Sequence, residues 1–317
     1  MTMAADNRET YHAFCSNHAG HLPLFYQDWY LDAVCGEGTW GAAMVKDGEQ
    51  VVGIWPWFQK KRFGFSYLAM PLFTKFMGPW IVPGTGDHRQ QLRWIQELAG
   101  QLPKVDGIKA DCHYQFNNWL PLYWQGFRQT TRYSYQLDLT LPLDDLHSGL
   151  NRNMRRNIKN AAKVLEIEAI EDPAFFYRMN SLSFQRQRIR PPYSFTDFQR
   201  HDAALRQNGV RHMYLARDEQ GNVHSVAYLI WDRQSVYYHL SGDDPEYRDS
   251  GSGILMIWEA IRYGKEVLGL PTFDFEGSMM KKVGAIRRQF GATPVPYSRI
   301  WRYNSRLYAL IDYLRRP

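Results

Sequence analysis

The sequence predicts an α/β fold, a mixed twisted sheet flanked by helices and laid down twice along the chain. Three observations carry that expectation. Amphipathic helix-like runs alternate with short apolar or aromatic strand-like runs from end to end. Glycine-bearing turns join two pairs of strands as hairpins. The two halves also repeat one plan: a helix, a hairpin with a glycine turn, a Gly-x-Gly leading a helix, then a Gly-Phe or Phe-Gly turn and an aromatic strand. That repeat is too long for a solenoid, so it reads as duplication at the scale of a domain.

A chain of 317 residues makes one large domain or two ordinary ones, and 44% apolar residues bury a core without disulfides or metal. Aromatics reach 15%, with 11 Trp and 20 Tyr. They serve as core and half-wet anchors, or as the lining of a channel for a long amphipathic or sugar-like substrate. The net charge of +6 points to an anionic partner such as CoA, a nucleotide-linked substrate, tRNA or an acidic lipid surface. Cys15, Cys35 and Cys112 are odd in number and form no CxxC, which reads as free thiols in a reducing compartment. Cys112-His113 has no companions at ligand spacing, so no metal is expected. The start lacks the apolar stretch of a signal peptide, and no apolar run reaches the roughly 18 residues a spanning helix needs. A cytoplasmic protein is expected.

In order, residues 23–34 read as a helix with Phe25, Trp29 and Tyr30 on one side. A hairpin over 40–58 turns at Asp47-Gly48, and the basic cluster Lys60-Lys61-Arg62 reads as a solvated edge. Residues 63–82 show no clear period and read as strand and loop. Gly84-x-Gly86 then leads a helix over 88–102, and strands follow over 108–114 and 133–139. The chain starts again near Leu141, giving expected domains of 1–140 and 141–303 and a terminal helical segment, 304–317. The second half reads as a basic helix (150–163), a strand (165–170), helices over 173–188 and 196–208, and a hairpin over 211–231. An aromatic strand (235–241), a polar turn (242–253), a helix (254–267), a strand (272–276), a basic helix-like piece and a last aromatic strand complete it.

The turn contains Arg248-x-x-Gly251-x-Gly253, between a strand and a helix. A helix start carries unpaired N–H groups and the positive end of the peptide dipole, so it can hold a diphosphate. Glycines at 251 and 253 let backbone approach phosphate without a Cβ in the way. An ordinary strand-to-helix turn needs such residues too.

This R-x-x-G-x-G resembles the acyl-CoA loop of the GNAT acyltransferase superfamily. Its continuation, Phe273-Asp-Phe-Glu-Gly277 and Arg287-Arg-Gln-Phe-Gly291, resembles the C-terminal half of Fem-type peptidyltransferases and their CelD-like acetyltransferase relatives. The resemblance implies tandem GNAT-like domains, the second holding the donor and the first, whose Gly84-x-Gly86 lacks the arginine, degenerate. It implies acyl-CoA as co-substrate, bound by Arg248, Asp249, Ser250, Gly251, Ser252 and Gly253. The strand through Leu240 and Ser241 would splay from its neighbour to admit pantetheine, and a main-chain N–H would polarise the thioester. A tyrosine, here Tyr238, would protonate the leaving thiolate.

The residues themselves offer candidate bases. Asp274 and Glu276 alternate along a strand, which places both carboxylates on one face, with Phe273 and Phe275 toward the core. A partly desolvated carboxylate can take the proton an acceptor amine must lose. Asp274 could equally cap a loop. His239, at the end of the preceding strand, could serve instead or be structural. Arg152 and Arg156 on the basic helix, with Lys281 and Arg287 beyond the second strand, are candidate substrate-binding cations or a solvated basic face. The basic helix also resembles the one that opens the second domain of Fem-type enzymes.

The sequence thus predicts acyl transfer from acyl-CoA to an amine or hydroxyl of a small or cell-envelope-related acceptor, bound in a groove between the domains. Attack would be direct, because no nucleophile–base pair stands out. An aminoacyl-tRNA-dependent peptidyltransferase acting on a peptidoglycan precursor is the alternative enzyme. No heptad run is long enough for the coiled-coil arm that tRNA-using relatives carry, which disfavours tRNA. A catalytically inactive module binding an anionic polymer or membrane surface is the third reading.

Overall fold

Asp47-Gly48 imposes the first hairpin of the computed structural model. Gly48 takes a φ of 60° and joins β1 (Thr39–Asp47) to β2 (Gln50–Arg62) in antiparallel pairing. Residues 3–36, 38–186, 188–277 and 279–314 are described. Met1 and Thr2, Ser278 after the second strand of the site and the last three residues of the expected terminal segment lie outside them.

Two compact units form, one of Met1–Arg132 with Pro296–Pro317 and one of Tyr133–Val295. The reading of the sequence divided the chain after residue 140 and carried the second domain to 303. The first unit opens with α1 (Met3–His18), where no helix was expected. Tyr11, Phe14 and Cys15 supply its buried stripe at helical spacing, but polar residues surround them and dilute the signal. The expected helix over 23–34 divides into a 3-10 turn, Leu24–Tyr26, and α2 (Asp28–Val34). Leu24, Phe25 and Tyr26 are all buried, and three consecutive residues cannot share one face of an α-helix. After β2 come β3 (Phe65–Leu68), β4 (Trp80–Ile81), α3 (His88–Gly100), β5 (Gly107–Asp111) and α4 (Leu120–Trp124). The chain leaves this unit within β6 (Arg128–Asp138).

The second unit continues with α5 (Leu143–Ser148), α6 (Arg152–Ala161), β7 (Leu165–Ala169), α7 (Pro173–Arg186), α8 (Phe195–Gln207), β8 (Arg211–Asp218) and β9 (Val223–Trp231). Next come β10 (Ser235–Asp243), α9 (Ser252–Arg262) with a π-helical end over Tyr263–Val267, β11 (Thr272–Asp274) and α10 (Lys281–Gln289). The chain returns to the first unit within β12 (Thr293–Tyr303) and ends in α11 (Arg306–Leu314).

Strands of the first unit run in the order β1-β2-β3-β5-β12, with β4 beside β2; among the described residues only β3 and β5 pair in parallel. Its core gathers Trp55, Trp94, Leu98, Ile108, Leu122, Phe127 and Ile300. Strands of the second run β6-β11-β10-β9-β8-β7, with β10 and β11 parallel. Its core gathers Leu137, Leu229, Val236, Leu255, Met256, Ile261, Phe273 and Phe290. Each unit is therefore α/β with a mixed sheet.

Candidate functional site

The parallel pairing of β10 and β11 lasts three residues, Ser235–Tyr237 against Thr272–Asp274. Beyond it β10 runs on to Asp243 against β9, whereas the continuation of β11 follows β6: Phe275 N–H donates to Tyr135 O at 3.0 Å. The two strands splay. At that point β10 carries a bulge, since Tyr238 faces Leu229 and Leu240 faces Tyr228, leaving His239 extra. A bulge breaks the alternation and re-aims its side chain.

The expectation that Asp274 and Glu276 lie on one strand face is corrected here. β11 ends at Asp274, and Glu276 takes a left-handed φ of 55° before Gly277 at 82°. Asp274 is fully buried and accepts from Ser134 Oγ (2.7 Å), Gln136 Nε2 (2.9 Å) and Glu276 N–H (2.7 Å). Those three bonds hold the turn that swings Glu276 out of the strand. Glu276 Oε1 lies 2.8 Å from His239 Nδ1, and His239 Nε2 lies 3.1 Å from His201 Nε2 on α8. The His239 side chain is 2% exposed and the Glu276 side chain 18%. Of the pair, the carboxylate is the one that reaches solvent. Facing Nε2 atoms share one proton between them, so each imidazole fixes the tautomer of the other. Burial, then the neighbouring His239, holds the His201 pKa well below the usual imidazole value.

Sequence reasoning missed His201. The signal was present: Phe198, His201, Asp202 and Leu205 recur at helical spacing on the buried face of α8. Asp202 is in turn held by Tyr228 Oη at 2.8 Å and by Arg211 at 3.2 Å.

Tyr238 and Arg287 also meet at this place. The Arg287 guanidinium carbon stands 4.6 Å from the Phe275 ring centroid and 6.0 Å from that of Tyr238. Burial lowers the Arg287 pKa, while Tyr238, Asp274 and Glu276 act to raise it. Burial, then Asp243, pushes the buried Tyr238 phenol well above its ordinary value, against Arg287 and Ser241. Tyr238 therefore stays protonated and able to donate.

At the start of α9, Arg248 and Asp249 are exposed on a 3-10 turn, and Gly251 takes a φ of 80° to enter the helix. A Cβ on Gly251 would meet Ala161 Cβ at 3.5 Å and Asn157 O at 3.7 Å, so α6 runs beside this turn. Arg152 and Arg156 are exposed on α6, as is Lys281 on α10. Arg155 instead donates to Ser148 O (2.6 Å) and Leu150 O (2.7 Å), closing the turn before α6. Ile254 and Leu255 N–H donate to Gly251 O, and Ser252 N–H donates to Ser250 Oγ at 3.3 Å. Asp243 Oδ1 accepts from Ser225 Oγ at 2.8 Å and lies 3.2 Å from where a Gly253 Cβ would stand. The glycine turn has the backbone a diphosphate needs, yet a protein carboxylate already shares the positive field of the helix start. In the first unit, Asp87 caps α3 outright, accepting from Gln90 N–H at 2.8 Å. Among the described residues no group of His, Cys, Asp and Glu is arranged to hold a metal ion, and no helix is long and apolar enough to cross a membrane.

A strand splay and bulge before a glycine-led helix define a class, and the comparisons agree with it. Residues 148–282 match the acetyltransferase (GNAT) domain model. The chain is similar in structure to FemX, at 15% identity and a TM-score of 0.72 over 96% of this chain and 98% of that one. It is similar to L-PGS from Bacillus licheniformis at 12% identity and 0.58, over 96% and 95%. A tandem GNAT protein from the clavulanic acid biosynthesis pathway gives 11% and 0.55, over 94% of each chain. At such identities the likeness is one of fold. No curated protein sequence matches the chain. Residues 148–282 thus match a GNAT acetyltransferase domain, and the chain as a whole shares its fold with FemX and with a tandem GNAT protein.

Proposed function

We propose that the protein transfers an acyl group from acyl-CoA to an amine or hydroxyl acceptor by direct attack, at the splay between β10 and β11. The observation that carries the reading is the convergence of bulge, splay and the Glu276–His239–His201 chain at one point. Glu276 takes the proton of the attacking amine or hydroxyl, and His239 acts as a positioning residue that holds the carboxylate. A main-chain N–H of the bulged stretch around Leu240 and Ser241 stabilises the oxyanion. The new bond to the carbonyl carbon forms as the C–S bond breaks, and Tyr238 supplies the proton that the leaving thiolate takes up. Asp274 holds the turn and is not the base. Arg248, the main-chain amides left open at the start of α9 and the exposed Arg156 take the diphosphate end of the donor, while Arg152, Lys281 and Arg287 favour an anionic acceptor such as a cell-envelope precursor.

Two observations favour an aminoacyl-tRNA as donor instead. The likeness to FemX runs over nearly the whole of both chains, and Asp243 opposes a diphosphate at the start of α9. The same splay would then receive an aminoacyl ester. The test supplies each donor separately with a panel of amine and hydroxyl acceptors, and follows free thiol or deacylated tRNA. Glu276→Gln should lower kcat at least about a hundredfold with KM for the donor little changed, the size usual for general-base loss. His239→Ala should lower kcat less and shift its pH profile. Full turnover by Glu276→Gln removes the assignment.

A further inference from the structure

A surface of the first unit, far in sequence from the R-x-x-G-x-G loop, carries features that its own packing does not explain. β2 and β3 are joined by a two-residue turn, Phe63-Gly64, with φ of 51° and 80°. Such a turn wants Asn or Gly at its first position, and a bulky aromatic there is strained. Phe63 is nevertheless 70% exposed. Beside it α11 presents its apolar side to solvent. Leu307, Leu310 and Leu314 recur at helical spacing and, with Tyr313, are each more than half exposed. The inner side is satisfied: Tyr308 stacks on Tyr67 at 5.4 Å, and Asp312 is bonded to Lys109 and Tyr303. The hairpin tip and α11 flank a cavity of about 420 Å³, lined mostly by Phe63, Phe65, Tyr67, Tyr308 and Ile311, with Arg62 and Asp312.

Cations outnumber acids around this surface. Lys61, Arg62 and Arg306 are exposed and Lys60 half-buried, while Asp312 is engaged as above and Asp106 accepts from Ser66 N–H at 2.9 Å. The sequence continues past α11 as Arg315-Arg316. An apolar wedge with a cationic rim is the pattern of a segment lying in a membrane interface, its leucines and aromatic among acyl chains and its bases on anionic headgroups. We propose that Phe63 and the outer side of α11 dock this protein onto a bilayer rich in anionic lipid. The inference is independent of the acyl-transfer reading.

Cosedimentation of the full chain with two vesicle types tests it, one of phosphatidylcholine and one of phosphatidylcholine with phosphatidylglycerol. The wild type should bind the mixed vesicles and bind them less as salt rises. Leu310→Asp and Phe63→Ser, on separate elements and both exposed, should each weaken binding about tenfold with unchanged thermal midpoints. Lys60→Ala with Lys61→Ala should cost about fivefold per lysine on mixed vesicles only. Failure of the wild type to bind mixed vesicles, or binding indifferent to Leu310→Asp and Phe63→Ser, overturns the proposal. A dimer that Leu310→Asp dissociates, without vesicle binding, assigns the surface to a second copy and overturns it too.

Discussion

Glu276, His239 and His201 owe their arrangement to a turn that strand alternation alone does not describe. The periodicity of Phe273-Asp274-Phe275-Glu276 correctly sends both phenylalanines inward, where their rings meet edge to face at 4.9 Å. It misplaces Glu276, because Asp274 accepts Glu276 N–H and the chain turns left-handed. A backbone sign change of this kind leaves no residue signature, and only Gly277 hints at it. His201 has a consequence at this scale. Its pKa is depressed in the folded state, so as pH falls through about 6.5 the unfolded chain gains a proton that the folded chain refuses. Stability contributed by the neutral ring is complete above that pH and lost below it, by up to ~1.4 kcal/mol per pH unit. Urea unfolding of His201→Gln between pH 7 and about 5 should therefore give a shallower slope than the wild type. Equal slopes would mean that the imidazole does not resist protonation.

Among elements, β10 does the most: it pairs with β9 along its length, parts from β11 and packs against α7. Contact with α7 is close because residue 242 is glycine. A Cβ there would stand 2.5 Å from Asn180 Cα and 2.7 Å from Asn180 N and Met179 O, all backbone that cannot yield. Gly242→Ala should therefore cost at least about 2 kcal/mol, read from the urea midpoint. Gly100→Ala, at the end of α3 with open space around it, should gain about 0.5–1 kcal/mol. If both changes had the same effect, the packing of α7 on β10 would be misdescribed. Elements of this kind were largely legible. Asp47-Gly48 and the 218–222 turn marked both hairpins, and basic α6 and aromatic β10 stood out by charge and ring content. The polar α1, the buried triplet Leu24–Tyr26 and the bulge at His239 were not, because tertiary burial and strand register set them rather than local pattern.

For the chain taken whole, the repeated plan was readable, and each unit contains both parallel and antiparallel strand pairs. Strand order was not readable, since β12 lies beside β5 and β11 beside β6 through pairings distant in sequence. In the proposed reading, the second unit holds an activated acyl donor through the turn that opens α9. The decisive experiment titrates the full chain with acyl-CoA and, separately, with aminoacyl-tRNA. Saturable binding of acyl-CoA is expected, weakened about tenfold or more by Arg248→Ala, the loss expected for a charge-assisted bond to phosphate. Neither donor binding the wild type, or acyl-CoA binding untouched by Arg248→Ala, would contradict it.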